Sequence, residues 1–153
     1  MLAAYPNGTY RTGQTDTDGK CQLDLYRIDK EMKVLVAAEG HLPYHTDLIP
    51  GESNVVHLEL DPSKDDKRAL LFTRSTGYIP GIEGRLNPHK DGYVYAENIA
   101  INGRLATPAA HFQIGECLHL IDVFGVSTTI RFLVVEGQFS LIEYTEPKDY
   151  AGE

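Results

Sequence analysis

The sequence predicts an all-β protein, and two observations carry that prediction. Fourteen glycines and eight prolines in 153 residues punctuate the chain at intervals too short for helices. The segments between them are rich in β-branched and aromatic residues, and they either alternate with polar residues or run apolar without a break. About ten to twelve strands of five or six residues are expected. The one weakly helical stretch, Asp61–Arg68, is mostly charged and opens on Asp-Pro, and it reads as a linker.

The elements follow in order. Leu2–Tyr5 is short and apolar, Asn7-Gly8 is a hairpin turn, and Thr9–Gln14 is the return strand. Asp16-Thr17-Asp18-Gly19 is the next turn, with Gly19 suited to positive φ. In Cys21–Tyr26 the residues Cys21, Leu23 and Leu25 point to one face. Met32–Ala38 is apolar on both faces over Val34–Ala38, as a central strand is, and Tyr44–Ile49 reads as an edge strand followed by a turn at Pro50-Gly51. Val56, Leu58 and Leu60 alternate with Val55, His57 and Glu59 in a half-exposed strand.

Residues 61–67, DPSKDDK, form the boundary between a first domain over 1–60 and a second over 68–145. In the second, Ala69–Thr73 is a strand, Gly77–Asn87 is an irregular or sharply bent segment, and Tyr93–Ile101 is a strand closed by Asn102-Gly103. Phe112–Ile114, Cys117–Val123, Ser127–Val135 and Phe139–Tyr144 complete the series, the last three as a tightly turned meander of the kind that closes a small barrel. Phe124, Phe132 and Phe139 are core candidates, and 146–153 is a polar tail.

Composition narrows the function classes. The chain is 42% hydrophobic and 24% charged, enough for a real core, and its formal net charge is -8. That charge argues against wrapping a nucleic-acid backbone or lying on an anionic membrane. No segment is long and apolar enough to span a bilayer, and MLAAYPNGTYRTG has neither the cationic start nor the apolar stretch of a signal peptide. A cytoplasmic protein is expected, with Cys21 and Cys117 as reduced, buried thiols; a disulfide joining the halves is the alternative.

Residues 15–40 carry a resemblance. T-D-x-D-G-K, an alternating strand, a short connection and V-L-V-A-A-E-G-H-L-P-Y resemble the carboxypeptidase regulatory-like domains, which are transthyretin-like (prealbumin-like) β-sandwiches. Thr15, Asp16, Asp18, Gly19, Leu23, Leu25, Val34, Val36 and Gly40 match the pattern, and VVHLEL fits the family's closing strand. The resemblance covers roughly residues 1–60 and implies a transthyretin-like sandwich there, followed by a small barrel-like β-meander domain. These domains are mostly spacers, docking modules or folding aids. The family's hydrolase branch ends on Tyr-Arg-Gly-Ser, whereas this chain ends Asp149-Tyr150-Ala151-Gly152-Glu153, so that activity is not carried over. Residues 68–145 resemble no family.

No catalytic constellation stands out. Asp16–Gly19 begins like a calcium loop, but the twelfth position holds Arg27 where a bidentate Glu is needed, so a structural turn is expected. His41 and His45 flank Pro43, and the other histidines lack ligand spacing. There is no G-x-S-x-G, and Gly77–Gly84 lacks phosphate-loop spacing. The richest cluster lies in GYIPGIEGRLNPHKDGYVYAEN. Tyr93 and Tyr95 share one strand face, and Arg85 and Asn87 share a face of the preceding segment. If those segments pair, aromatic plates stand beside an Arg fork and an amide, with Tyr78 and Asn98 at the margins. Tyr78, Arg85, Asn87, Tyr93, Tyr95 and Asn98 are therefore the candidate binding residues. Cross-strand packing that staples the sheet is the competing account.

The expected function is a non-catalytic, protein-binding accessory module, an adaptor or subunit whose partner is another protein. No cofactor, no metal, no nucleic acid and no membrane are expected. Exposed edge strands offer a route to a homo-oligomer. A metal-dependent hydrolase and a carbohydrate-binding module are the alternatives.

Overall fold

A computed structural model describes residues 1–25, 30–48, 55–60, 66–106 and 108–150. The chain is all-β, with no helix among the described residues, and it divides into two compact units, Met1–Asp61 and Pro62–Glu153.

In the first unit, β1 (Leu2–Ala4), β2 (Tyr10–Thr12), β3 (Met32–Val36) and β4 (Tyr44–Leu48) form one antiparallel sheet in the order β2-β1-β3-β4. The Asn7-Gly8 turn joins β1 to β2, with Gly8 at φ 87°. β3 is central, as its apolar Val34–Val36 run requires: Met32, Val34, Leu35 and Val36 are buried, while Lys33 pairs with Asp47. β4 lies at the edge. Ala3, Met32, Val34 and Val36 make the core, with Leu23, Leu25, Tyr44 and Leu58 packed against it.

Two expected strands are absent. Cys21–Leu25 and Val55–Glu59 carry the alternating burial of strands but no ladder among the described residues. Both edges of β1 are already taken, by β2 and β3, and these segments pack mainly by side chain, with one backbone bond from the Leu42 N–H to the Glu59 carbonyl at 2.9 Å. Cys21 and Leu23 lie over Gly13, whose missing Cβ would sit 2.7 Å from Sγ of Cys21. Leu60 joins His41 in an isolated bridge and is exposed. The Pro50-Gly51 turn lies outside the described residues.

Asp16–Gly19 is a structural turn. Oδ1 of Asp16 accepts from the N–H groups of Asp18 and Lys20, each at 2.9 Å.

The second unit holds two sheets. The larger contains β5 (Lys67–Phe72), β8 (Ile99–Ile101), β9 (Arg104–Leu105), β11 (Leu118–Asp122), β12 (Val126–Val135), β13 (Ser140–Thr145) and β14 (Lys148–Asp149). Its order is β5-β13-β12-β11-β8-β9, with β14 pairing the start of β12. The smaller contains β6 (Arg85–His89), β7 (Tyr93–Glu97) and β10 (Ala110–His111), in the order β10-β7-β6. β11, β12 and β13 are the expected meander.

No barrel closes, which corrects the barrel-like expectation: the large sheet ends at β5 and β9. Its core is sealed by a second layer instead. Leu86 and Val94 of the small sheet share one cluster with Leu118, Leu120, Ile130 and Phe132 of the large one. The rings of Phe112 and Phe132 meet with centroids 4.6 Å apart.

Four further expectations are corrected. Tyr93–Ile101 is two strands in two sheets, β7 and β8, because Asn98 takes φ 63° and turns the chain from one to the other. Phe124 is 78% exposed, since it sits in the turn between β11 and β12 and not on a strand face. Cys117 is exposed, with Nε of Arg131 donating to its Sγ at 3.0 Å. Within the expected tail, Lys148 and Asp149 pair with Ser127 and Val126.

Candidate functional site

The sequence places a Gly-closed turn, Lys90-Asp91-Gly92, between two alternating segments. It folds as a three-residue hairpin loop with Gly92 at φ 85° and its N–H donating to the His89 carbonyl. That turn fixes the register: His89 faces Tyr93, Asn87 faces Tyr95, and Arg85 faces Glu97. Leu86 and Val94 then point inward, 1% and 0% exposed. Leu86 donates its N–H to the Gly77 carbonyl and accepts from the Gly77 N–H, on the edge facing away from β7. Alternation sets Pro88, which has no N–H, on that same edge, where the β6–β7 ladder loses nothing.

The outer face of the hairpin therefore carries three cross-strand rows. Nearest the turn, His89 and Tyr93 stack, with centroids 4.4 Å apart and planes 15° from parallel. In the middle row, the Tyr95 ring stands 80° to His89 and 86° to Tyr93, so it belongs to no parallel stack. Asn87, opposite it, makes no side-chain hydrogen bond among the described residues. In the third row Nε of Arg85 donates to Oε2 of Glu97 at 2.8 Å, and Nη2 meets the same oxygen. The bond to Glu97 raises the Arg85 pKa above its ordinary value, with a smaller contribution from Tyr78.

Tyr78 adjoins this face because its neighbour Gly77 is bridged to Leu86. Gly84, just before Arg85, is at φ 129°, and a Cβ there would lie 2.3 Å from the Glu97 carbonyl oxygen. Only glycine lets the two strands close on each other at this end.

Of the six candidate residues, Arg85, Asn87, Tyr93 and Tyr95 share the face and Tyr78 borders it. Asn98 does not belong, since it is the corner residue that leaves the small sheet. Two residues were missed, His89 and Glu97. The Asp91-Gly92 turn could have found both, because a hairpin centred there pairs His89 with Tyr93 and Arg85 with Glu97.

Behind the face, Asp122 anchors the segment that leads into β6. Its buried carboxylate accepts from the N–H groups of Glu83 at 2.9 Å, Phe124 at 2.9 Å and Val126 at 2.8 Å. Burial alone would raise its pKa, but these backbone donors outweigh that and hold it below the ordinary value.

The face offers aromatic plates, an amide, a guanidinium and a carboxylate, a set suited to stacking and hydrogen bonding. Among the described residues no group of three or more His, Cys, Asp or Glu side chains is placed to hold a metal ion.

The chain is 28% identical over 142 residues to a 3' cyclic ADP-D-ribose synthase, AaTIR, from Aquimarina amphilecti, a match that covers 90% of this chain and 42% of that protein. The chain thus spans less than half the length of the relative it matches. No family model and no solved structure matches it. The relative is named as a synthase of a cyclic ADP-ribose, an enzyme, and that overturns the expectation of a non-catalytic adaptor.

Proposed function

We propose that this chain works in the formation of a cyclic ADP-ribose, as the β-structured part of a synthase like the one from A. amphilecti. The observation that carries this reading is the match itself. It is longer than either structural unit, so it covers residues of both and is not one shared motif.

The chemistry of such a product sets what the machinery must do. A linear ADP-ribosyl donor loses its leaving group from the anomeric carbon, and the bonding pair departs with that group. A hydroxyl of the adenosine ribose then attacks the same carbon and gives up its proton. The donor must be held folded, with base, ribose and diphosphate fixed, for its two ends to meet. Holding a nucleotide is work that aromatic, amide and guanidinium groups perform.

Two incubations with NAD+ as the donor test the reading, one with this chain and one with the A. amphilecti synthase carrying this chain in place of its matched segment. Release of nicotinamide together with a cyclic product, read by liquid chromatography and mass spectrometry, is expected with the chimera or with both. A folded chimera and a folded chain that both leave NAD+ intact, beside an active parent synthase, overturn it.

The first unit is further proposed to be a transthyretin-like sandwich. The Thr15–Gly40 pattern and the central β3, with Met32, Val34, Leu35 and Val36 buried, support this. Side-chain nuclear Overhauser effects that lay Leu23, Leu25 and Leu58 as a second layer over Met32, Val34 and Val36 are expected, and their absence removes the assignment.

A further inference from the structure

Resting on the cyclic ADP-ribose reading, we propose that the outer face of the β6–β7 hairpin binds the adenine, ribose and diphosphate of an ADP-ribosyl nucleotide. Three features of the face carry this.

The first is an open plate. Tyr95 is 43% exposed and lies nearly perpendicular to both rings beside it, so no parallel stack occupies it. Base-on-aromatic stacking needs only such a plate.

The second is hydrogen-bonding capacity left unused inside the protein. The Asn87 amide sits opposite Tyr95 with no side-chain partner among the described residues. An amide matches the N6 and N7 positions of adenine, one donor and one acceptor in a plane.

The third is the Arg85–Glu97 row. Both of its bonds use Oε2 of the carboxylate and two nitrogens of the guanidinium. Oε1 of Glu97 is left to accept from ribose hydroxyls, as acidic residues do in dinucleotide sites. The guanidinium donors of Arg85 that Glu97 and Tyr78 do not take are left for phosphate oxygens.

The order of the rows matches the order of the ligand. Base groups (Tyr95, Asn87) come one row before the ribose and phosphate groups (Glu97, Arg85). Rows on one strand face are about 6.8 Å apart, which is the scale of a nucleoside laid along the hairpin. Tyr78, 62% exposed and interacting with Arg85, closes the phosphate end.

The test titrates ADP-ribose, AMP and ribose 5-phosphate into the full chain and follows amide and ring shifts by nuclear magnetic resonance. ADP-ribose is expected to bind tightest and ribose 5-phosphate weakest, with the largest shifts on β6 and β7. Tyr95→Ala and Asn87→Ala are each expected to weaken ADP-ribose at least tenfold without moving the melting temperature, and Arg85→Gln is expected to reduce the advantage of ADP-ribose over AMP. Shifts centred elsewhere, wild-type affinity in the Tyr95 and Asn87 variants, or no wild-type binding at millimolar ADP-ribose overturn the site. The two proposals fail separately. Binding on this face without NAD+ turnover in chain or chimera keeps the site and removes the synthase reading. Turnover that survives in a chimera carrying Tyr95→Ala and Asn87→Ala keeps the synthase reading and removes the site.

Discussion

Asp122 shows how one buried charge can organise two turns. Its carboxylate accepts from the N–H groups of Glu83, Phe124 and Val126, which lie in two separate segments, one of them the approach to β6. In Asp122→Ala those donors lose their acceptor in a site that is 7% exposed, and a loss of about 3 kcal/mol is expected in denaturant unfolding at neutral pH. The effect has a pH signature. Folding lowers this group's pKa below its ordinary 3.8, so its stabilisation is complete above that value and fades as the pH falls through the lower folded one. The gap between wild type and Asp122→Ala is therefore expected to narrow on acidification below about pH 3.8 and to be constant at higher pH. A gap that is the same at pH 2.5 and pH 7 would show that the charge is not the cause. Gly84 is the second residue-scale case. Gly84→Ala puts a Cβ against the Glu97 carbonyl at a φ that side chains rarely adopt, with an expected loss of about 2 kcal/mol or more. The Arg85 and Glu97 resonances are expected to shift before those of the β6–β7 turn.

At the scale of elements, the instructive comparison is between strands the sequence makes legible and strands it does not. β3 and the β11–β13 meander are legible because their side-chain pattern and their turns agree. Cys21–Leu25 has the same alternation and still has no ladder, because alternation reports which side chains are buried and not whether a partner edge is free. Tyr93–Ile101 fails differently: nine strand-like residues conceal a corner, and the signal was one Asn able to occupy the left-handed region. β12 conceals a bulge as well. Its register shifts between Phe132 and Val134, which lets both Phe132 and Val135, three residues apart, enter the same core. The candidate face was legible as composition, while its register lay in the Asp91-Gly92 turn. Asn98 permits a direct test of the corner. Asn98→Gly is expected to change stability by less than about 0.5 kcal/mol, since glycine takes positive φ freely. Asn98→Val is expected to cost about 1–2 kcal/mol, the penalty of a β-branched residue at that φ. Equal stability of the two variants in urea would mean that the corner does not depend on residue 98.

At the scale of the whole molecule, the proposed nucleotide site has to work against the chain's own charge. The chain's formal charge of -8 makes it a poor general trap for phosphates, so any nucleotide affinity has to come from a local arrangement. The β6–β7 face supplies one, and it is built wholly within the second unit. A ligand bound there stabilises only the cooperative unit that contains the face, by about 2.7 kcal/mol at a hundredfold excess over its dissociation constant. Amide hydrogen exchange resolves that effect by segment. With saturating ADP-ribose, slower exchange is expected in β6, β7 and the β11–β13 strands that share their core, while exchange at Leu35 in β3 stays unchanged. Equal slowing at Leu35 would mean that the units open as one, and that occupancy of the face is felt along the full length shared with the synthase. Slowing at Leu35 alone would place the ligand in the first unit and remove the hairpin site.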